Sequence, residues 1–294
     1  MAYGGDAELK FAVIGGDRRA ALLCRLLAAD GHRVHSYALE HAELPAEIPR
    51  TGCLQGCLYG ADVAVLPTPA EKSGLLNAPY AAAPCPMETL LDTLWPGQLL
   101  CGGLIGEDRC RAAVKNGVTV RDFMKTPAFV TANAALTAEG AVGLLLLESE
   151  RALLGSRVLV CGWGRIGRVL ALRLLGMGAR VTAAARSAAQ RAEARALGCE
   201  ALDFKDLATA LPGCDFVVNT VPARVLSDAQ LCCLPEGTLL LELASSPGGF
   251  DRTTAENLGL HAVAAPGLPG RSAPLAAAAL MREAIYDYLG EERE

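Results

Sequence analysis

Short apolar runs alternate with amphipathic stretches along the whole chain. The runs that predict buried strands lie at residues 9–16, 33–39, 62–66, 98–101, 118–123, 157–161, 180–185, 215–219, 239–243 and 260–264. Helical spacing of apolar residues follows several of them, as at 20–29 and 169–175. This alternation is typical of βαβ units, which build parallel sheets. We therefore expect an α/β protein with two open parallel-sheet domains.

The second half of the chain is expected to form a domain of its own. Thr137 and Glu139 supply a helix-start signal, and the helix is predicted to run to residue 154. We place a substrate and catalytic α/β domain at 1–136 plus 272–294, and a Rossmann dinucleotide-binding domain at 137–271. The long apolar helix predicted at 274–288 is expected to return to the first domain.

A glycine-rich turn ends the strand predicted at 157–161. Gly162, Trp163, Gly164, Arg165, Ile166 and Gly167 give the pattern GxGxxG between a strand and a helix. In that context the glycines allow a tight turn, a close approach to a pyrophosphate and close packing of helix on strand. The free N–H groups that open the helix favour phosphate. We predict a dinucleotide site, against the alternative of a glycine-rich turn without a ligand.

The end of the next strand indicates which dinucleotide is bound. An NAD site usually has Asp or Glu there, whereas this strand ends in Ala185, Arg186 and Ser187. Arg186 can pair with a 2′-phosphate, Ser187 can add a hydroxyl, and Arg165 in the glycine loop can add charge. We favour NADP over NAD, while a merely solvated Arg186 remains the alternative.

The later strands also end in small residues that suit a cofactor lying along the sheet edge. The further residues expected to contact it are Thr220, Val221, Pro222, Ala244, Ser245, Pro266 and Gly267.

Composition excludes several classes of function. The 294 residues carry a net charge of −5 and no basic run, which argues against a nucleic-acid surface. No signal peptide is apparent, and no apolar run is expected to reach the roughly 20 residues that span a bilayer. The 11 cysteines, including the pairs Cys53/Cys57 and Cys232/Cys233, do not match zinc or thioredoxin spacing, and a metal or redox site at Cys53 and Cys57 is a less favoured alternative to packing. We expect a cytoplasmic protein with buried thiols, no membrane contact and no metal site.

Several stretches together resemble the A subunits of bacterial dipicolinate synthases. They are GGDRR at 15–19, LPTP at 66–69, NAALTAEGA at 133–141, VCGWGRIG at 160–167, NTVPARVL at 219–226, LELASSPGGFD at 241–251 and APGLPGRSAP at 265–274. The resemblance covers nearly the whole chain. It departs from the family pattern at Leu136, where Pro is expected, and at Arg271, where Lys is expected.

The resemblance implies oxidation of dihydrodipicolinate to dipicolinate during sporulation, with NADP as hydride acceptor and with a partner protein, the B subunit. A homo-oligomer, in the simplest case a dimer, is also expected. Arginines and hydrogen-bonding groups at strand ends suit a small dicarboxylate substrate. The candidates for binding it are Arg18, Arg19, Thr68, Asn133, Thr137 and Arg271. For Arg18 and Arg19, a purely solvated role at the start of a helix is an equal alternative.

A general base is harder to identify. Glu139 and Lys125 are candidates by residue type alone, and otherwise the base is water or a residue of the partner subunit. Two other functions stay open: a different NAD(P)-dependent oxidoreductase acting on an amino or keto acid, similar to alanine dehydrogenase, and a non-catalytic NADP-binding regulatory subunit.

Overall fold

The computed structural model describes residues 8–291, and the chain forms two compact units. Unit 1 comprises Met1–Asn133 and Ala273–Glu294, and unit 2 comprises Ala134–Ser272. Each unit contains a parallel sheet with helices packed on it, which confirms the predicted α/β class.

Unit 1 is built on a five-stranded parallel sheet. Its strands are β1 (Lys10–Ile14), β2 (Arg33–Tyr37), β3 (Val63–Val65), β6 (Leu99–Gly102) and β7 (Thr119–Asp122), and a small antiparallel hairpin adds β4 (Glu71–Lys72) and β5 (Leu75–Leu76). Its helices before residue 127 are α1 (Arg18–Ala29), α2 (Leu54–Leu58), α3 (Met87–Thr93) and α4 (Glu107–Lys115), with a 3-10 turn at Phe123–Lys125.

The strand order of this sheet is β2-β1-β3-β6-β7. The order reverses between β1 and β3, so the chain leaves these two neighbouring strands toward opposite sides. In open α/β sheets ligands bind in the crevice outside the carboxyl ends of such a strand pair. The segments that follow β1 and β3 are the GGDRR turn and Pro67-Thr68-Pro69.

Helix α5 (Pro127–Leu147) corrects two sequence predictions. It begins at Pro127 rather than Thr137, and it ends at Leu147 rather than residue 154. Proline suits the first helical turn because its missing N–H has no partner there in any case. Phe129 and Val130 are buried in the core of unit 1.

The same helix also corrects the expectation about apolar length. Its 21 residues, with a mean hydropathy of 1.5 over the most apolar window, make it long and apolar enough to cross a membrane by length and composition alone. Core helices of soluble proteins share these properties. Ala138, Ala141 and Leu145 are fully buried in the core of unit 2, and 39% of the apolar window is buried, so packing accounts for part of the apolar character.

Unit 2 holds a six-stranded parallel sheet of order β10-β9-β8-β11-β12-β13. Its strands are β8 (Arg157–Cys161), β9 (Arg180–Ala184), β10 (Glu200–Leu202), β11 (Phe216–Asn219), β12 (Leu239–Glu242) and β13 (His261–Ala264). Its helices are α6 (Arg165–Gly176), α7 (Ala188–Ala196), α8 (Asp228–Leu231), α9 (Arg252–Asn257) and α10 (Leu268–Ser272), with a 3-10 helix at Phe204–Thr209. This is the predicted Rossmann sheet.

Helix α11 (Pro274–Glu291) returns to unit 1 and packs against α1. Ala278 and Ile285 are fully buried in the core that also contains Leu23 of α1. Arg282 and Tyr286 both bond the carboxylate of Asp30, the residue that ends α1. The predicted return of the last helix is therefore confirmed.

Candidate functional site

The three glycines of the turn after β8 have distinct surroundings. Gly162 has a φ of +104°, which favours glycine, and a Cβ there would overlap Thr220. A Cβ at Gly167 would overlap the carbonyl oxygen of Gly162, so helix α6 approaches the strand too closely for any side chain. The fold itself thus requires glycine at both positions.

The fold does not require glycine at position 164. Its φ of −85° suits any residue, and a Cβ there would meet no atom within 4 Å. It is exposed and precedes the first turn of the 12-residue helix α6, where no side chain caps the free N–H groups. The open space above these groups fits the pyrophosphate of a dinucleotide.

The remaining predicted cofactor contacts lie at the same edge of the sheet. Strand β8 lies between β9 and β11, and the chain direction around the sheet reverses there. Because all strands are parallel, their carboxyl ends meet at one edge. The predicted residues that directly follow these ends are Arg186, Ser187, Thr220, Val221, Pro222, Ala244, Ser245, Pro266 and Gly267.

The end of β9 presents an arginine without a partner. Arg186 is exposed, and among residues 8–291 it has no hydrogen bond or ion pair through its side chain. Ser187 caps α7, because its hydroxyl accepts a hydrogen bond from the N–H of Gln190 at 3.1 Å. Arg191, to which the sequence assigned no role, donates to the Arg186 carbonyl at 2.6 Å and pairs with Asp203 at 2.7 Å.

The side chains of two residues of the glycine pattern, Trp163 and Ile166, pack in or against the core of unit 2. The Trp163 side chain is 2% exposed, belongs to the core of unit 2 and donates through Nε1 to Glu193 at 3.2 Å. Ile166 is half-buried against the same core. For Trp163 the backbone alone faces the turn, whereas Arg165 is exposed at the start of α6.

A hydrogen-bonded network lies at the ends of β11 and β12. Asn219 is fully buried and donates through Nδ2 to Oε1 of Glu242 at 2.7 Å and to the Val221 carbonyl at 2.8 Å. The Glu242 carboxylate also accepts from the N–H groups of Ala244 and Gly249, at 2.9 and 2.6 Å. Burial raises the pKa of Glu242, although these hydrogen bonds act in the opposite direction. The sequence motifs that contain these two side chains gave neither of them a role.

In unit 1 the turn after β1 holds Arg19 in place. The Arg19 guanidinium binds both carboxylate oxygens of Asp17, at 2.9 Å from Nε and 2.9 Å from Nη2, and donates to the Thr68 carbonyl at 2.7 Å. Burial raises the pKa of Asp17, but the hydrogen bonds and charge of Arg19 outweigh burial and lower it. Arg19 therefore links the two strand ends of the crevice, and its donors are largely used within the protein.

Arg18 is placed differently. It is exposed, and within residues 8–291 no carboxylate pairs with it. With Arg25, His41 and Tyr80 it lines a depression of about 410 Å³ beside α1. Of the two arginines predicted to bind substrate, Arg18 has the available guanidinium.

The hydroxyl of Thr68 is not accessible. Its oxygen is buried and finds no hydrogen-bond partner in the described part of the chain, and a Cβ at Gly103 would overlap it. Thr137 is also buried, with 7% exposure.

The other predicted substrate and catalytic residues lie in or next to helices. Asn133 and Thr137 are one turn apart on α5 and share a face, whereas Glu139 points away from that face by helical geometry. Glu139, Lys125 and Arg271 are exposed, and none has a hydrogen bond or ion pair from its side chain within residues 8–291. Within the described part of the chain, Glu139, Lys125 and Arg271 therefore form no hydrogen-bonded catalytic pair with one another.

Comparison with known proteins agrees with this architecture. Residues 10–124 match the family described as the N-terminal domain of the dipicolinate synthase A subunit. Residues 143–237 match the NAD binding domain of D-isomer specific 2-hydroxyacid dehydrogenases, which supports a nicotinamide dinucleotide as cofactor.

Relatives extend the match beyond these two regions. The dipicolinate synthase A subunit of Bacillus subtilis is 35% identical over 159 residues, and the aligned region spans 54% of each chain, about half the length of that relative. The crystal structure of the dipicolinate synthase A subunit from Bacillus subtilis is 26% identical, covers 97% of both chains and has a TM-score of 0.82. Its counterpart from Bacillus halodurans has a TM-score of 0.84 at 24% identity, with 96% of this chain and 99% of that chain covered. In sequence over part of its length, and in fold over nearly all of it, this chain is thus similar to dipicolinate synthase A subunits.

Proposed function

We propose that this protein oxidises dihydrodipicolinate to dipicolinate with NADP as the hydride acceptor, as a cytoplasmic enzyme of sporulation. The observation that carries the proposal is the open space beside the free N–H groups at Gly164 and the start of α6, here called the cradle, together with an Arg186 that is unpaired within residues 8–291 at the same sheet edge. A 2′-phosphate would supply the anion that Arg186 lacks.

The protein's own groups have limited tasks in this reaction. The free N–H groups at the start of α6 would hold the pyrophosphate, and Arg186 would hold the 2′-phosphate. The bound dinucleotide would supply the hydride acceptor. Arg18 is the unpaired cation of unit 1 best suited to a substrate carboxylate, while Arg19 holds the turn in which Arg18 lies.

The base that removes the accompanying proton is proposed to come from solvent or from a B subunit. Glu139 and Lys125 are exposed, and within residues 8–291 neither has the hydrogen-bonded partner that would orient or tune a base. The same observation favours the second candidate function, a regulatory subunit that binds NADP without turning it over.

We test these functions by supplying freshly generated dihydrodipicolinate to the chain, with and without a B subunit, together with NADP or NAD. The expected result is parallel growth of the NADPH absorbance and the dipicolinate ultraviolet band, faster with NADP than with NAD. Activity only in the presence of the B subunit would assign the base to the partner. NADPH binding without turnover in any mixture would favour the regulatory function, and activity on an amino or keto acid instead would favour the alanine dehydrogenase-like alternative.

The proposed protein partners are a second copy of this chain and a B subunit. Leu275, at the start of α11, is 56% exposed and could contribute to a contact between copies. Sedimentation of the chain alone and mixed with a B subunit measures both associations.

A further inference from the structure

We propose that Glu242 is a positioning residue for the nicotinamide half of the cofactor, because it holds together the loops that follow β11 and β12. The inference rests on the proposed cofactor site and adds a role for a residue that does not itself bind the glycine-rich turn.

Hydrogen bonds at the ends of β11 and β12 hold the two loops together. Asn219 and Glu242 are the last residues of their strands and lie directly opposite each other in the parallel ladder. The Asn219 side chain bonds both the N–H and the carbonyl of Val221, which fixes the first loop. Glu242 bonds Asn219 and the N–H groups of Ala244 and Gly249, which fixes the second loop at both ends. One carboxylate thus sets the position of both loops.

The junction between Asn219, Glu242 and the second loop is closely packed. A Cβ at Gly249 would overlap the Asn219 amide group, and a Cβ at Gly248, where φ is +81°, would lie 3.1 Å from Glu242 Oε2. The loop therefore follows the carboxylate at a distance that only glycine permits. Any movement of Glu242 is transmitted to residues 244–249.

Holding the Glu242 carboxylate in this position costs free energy. Every hydrogen bond that Glu242 accepts comes from a neutral amide, and within residues 8–291 no cation forms an ion pair with it. A carboxylate that is partly removed from water without a counter-charge is expensive compared with an apolar or neutral residue. Stability alone does not explain this choice of residue, whereas fixing two loops beside a ligand does.

The position of Glu242 in the sheet indicates which half of the cofactor its loops face. In a Rossmann sheet the ribose 2′ position lies at the end of the second strand, here β9, so the adenosine half lies over β8 and β9. The nicotinamide half extends across the reversal point toward β11 and β12. The loops held by Glu242 are on that side.

The experiment compares ligands that share the adenosine half. Dissociation constants of NADPH and of 2′,5′-ADP, which lacks the nicotinamide half, are measured by calorimetry for wild type, Glu242→Gln and Glu242→Asp. Glu242 accepts hydrogen bonds from three N–H groups. In either orientation the glutamine amide points its own NH₂ group at one or more of these N–H groups, and the aspartate side chain is too short to reach all three. We expect NADPH to bind about tenfold more weakly to both variants, as for the loss of one hydrogen bond to a charged group, and 2′,5′-ADP to bind unchanged.

A matched control lies at the other end of the same strand. Glu236 precedes β12 and is exposed, so Glu236→Gln removes a carboxylate of unit 2 far from the loops and should leave both affinities unchanged. Binding of 2′,5′-ADP also reports that each variant is folded. Gly249→Ala, which displaces the loop from Asn219, should reproduce the selective loss of NADPH.

Equal changes for the two ligands in Glu242→Gln, or no change for either, would overturn the role of Glu242. If wild type binds NADH and ADP in preference to NADPH and 2′,5′-ADP, the 2′-phosphate assignment fails instead. The comparison of NADH with ADP then decides the role of Glu242 independently. Wild type that binds none of these ligands would refute both proposals.

Discussion

At the scale of single residues, the side chains that matter at strand ends are those whose charges are not already paired. Arg186 and Arg18 are exposed and unpaired within residues 8–291, whereas Arg19 and Arg191 are held by Asp17 and Asp203. Neighbouring arginines in one short sequence thus differ in what they can bind. The sequence alone does not distinguish them, because the pairing depends on which strand ends lie side by side.

Arg186→Ala should weaken NADPH binding about 10- to 100-fold and leave NADH almost unchanged, since only the charge-assisted bonds to the 2′-phosphate are lost. Arg180→Ala is the matched control, because Arg180 is an exposed residue at the opposite end of β9. Fluorescence titration of both cofactors checks this result. Equal losses for NADPH and NADH would refute the 2′-phosphate assignment.

Arg18→Ala and Arg19→Met should separate binding from stability. Loss of Arg18 is expected to weaken dipicolinate binding about tenfold, measured by calorimetry, without a change in melting temperature. Loss of the Arg19 side chain leaves the Thr68 carbonyl unpartnered and the Asp17 carboxylate with only the backbone N–H of residue 19, so it should lower the free energy of unfolding by about 1–3 kcal/mol. Normal stability together with weakened binding in Arg19→Met would show that Arg19 contacts the ligand instead.

Acidification should weaken NADPH binding through Glu242. Because burial raises the pKa of Glu242 above the ordinary glutamate value, the carboxylate takes up a proton at a higher pH than an exposed glutamate and then loses an acceptor for its three donors. The Cys161 thiol, which also feels the charge of Glu242, stays protonated because burial raises its pKa to about 12. Affinity should therefore fall as the pH falls.

The 2′-phosphate of the ligand also titrates near pH 6, at about the second pKa of a phosphate monoester. The informative quantity is therefore the difference in NADPH affinity between wild type and Glu242→Gln, measured across the pH range. That difference should shrink at low pH, and a constant difference would contradict a role for ionised Glu242.

At the scale of elements, the strand–turn–helix unit from β8 to α6 combines two kinds of glycine. Gly162 and Gly167 are needed for the chain to fold back closely, while Gly164 leaves open space beside free N–H groups. One sequence pattern therefore contains both structural and ligand-binding positions.

Gly164→Ala and Gly167→Ala should consequently have different effects. At Gly167 a Cβ overlaps backbone, so we expect a loss of about 1–3 kcal/mol in unfolding free energy, the usual cost of overpacking. At Gly164 the fold should keep its melting temperature while 2′,5′-ADP and NADPH both bind more weakly. Thermal denaturation and calorimetry on the same preparations distinguish these outcomes, and full binding in Gly164→Ala would contradict the cradle.

The elements also show where sequence interpretation succeeded. The buried residues Val158–Cys161 of β8 and Phe216–Val218 of β11 are apolar because both faces of a parallel sheet are covered, so the apolar runs indicate these strands well. The start of α5 was misplaced because Thr137 and Glu139 imitate a helix cap inside the helix, while Pro127 gave the better signal. The hairpin at 71–76 was missed because its strands have two residues each, joined by Ser73 and Gly74 with φ of 51° and 80°.

The candidate site was only partly predictable for a physical reason. The glycine pattern and the parallel sheet determine the backbone positions at the strand ends. The pyrophosphate site at the start of α6 is therefore predictable from the sequence. The partners of side chains are set by contacts between distant segments, as with Arg19 and Thr68 or Asn219 and Glu242. Those contacts leave no periodic signal in the sequence.

At the scale of the whole molecule, unit 1 depends on a segment from the far end of the chain. Ile285 of α11 is fully buried in its core, whereas Leu275 of the same helix is 56% exposed. Ile285→Ala should lower the unfolding free energy of unit 1 by about 2–5 kcal/mol, and Leu275→Ala should have little effect. Chemical denaturation measures this difference, and 2′,5′-ADP affinity, built in unit 2, should stay unchanged. Equal stability of the two variants would contradict the packing of α11.

The return of α11 to α1 has a consequence for how the protein is made. The apolar face of α1 leaves the ribosome early, but its covering helix emerges only after all of residues 134–272. At about 5–20 residues per second, synthesis of those residues takes roughly 7–30 s. Unit 2 is contiguous and can fold during that interval, while Leu23 and its neighbours wait uncovered. Unit 1 is thus begun before unit 2 but completed after it, and its uncovered apolar residues need protection from aggregation while the polypeptide is still growing.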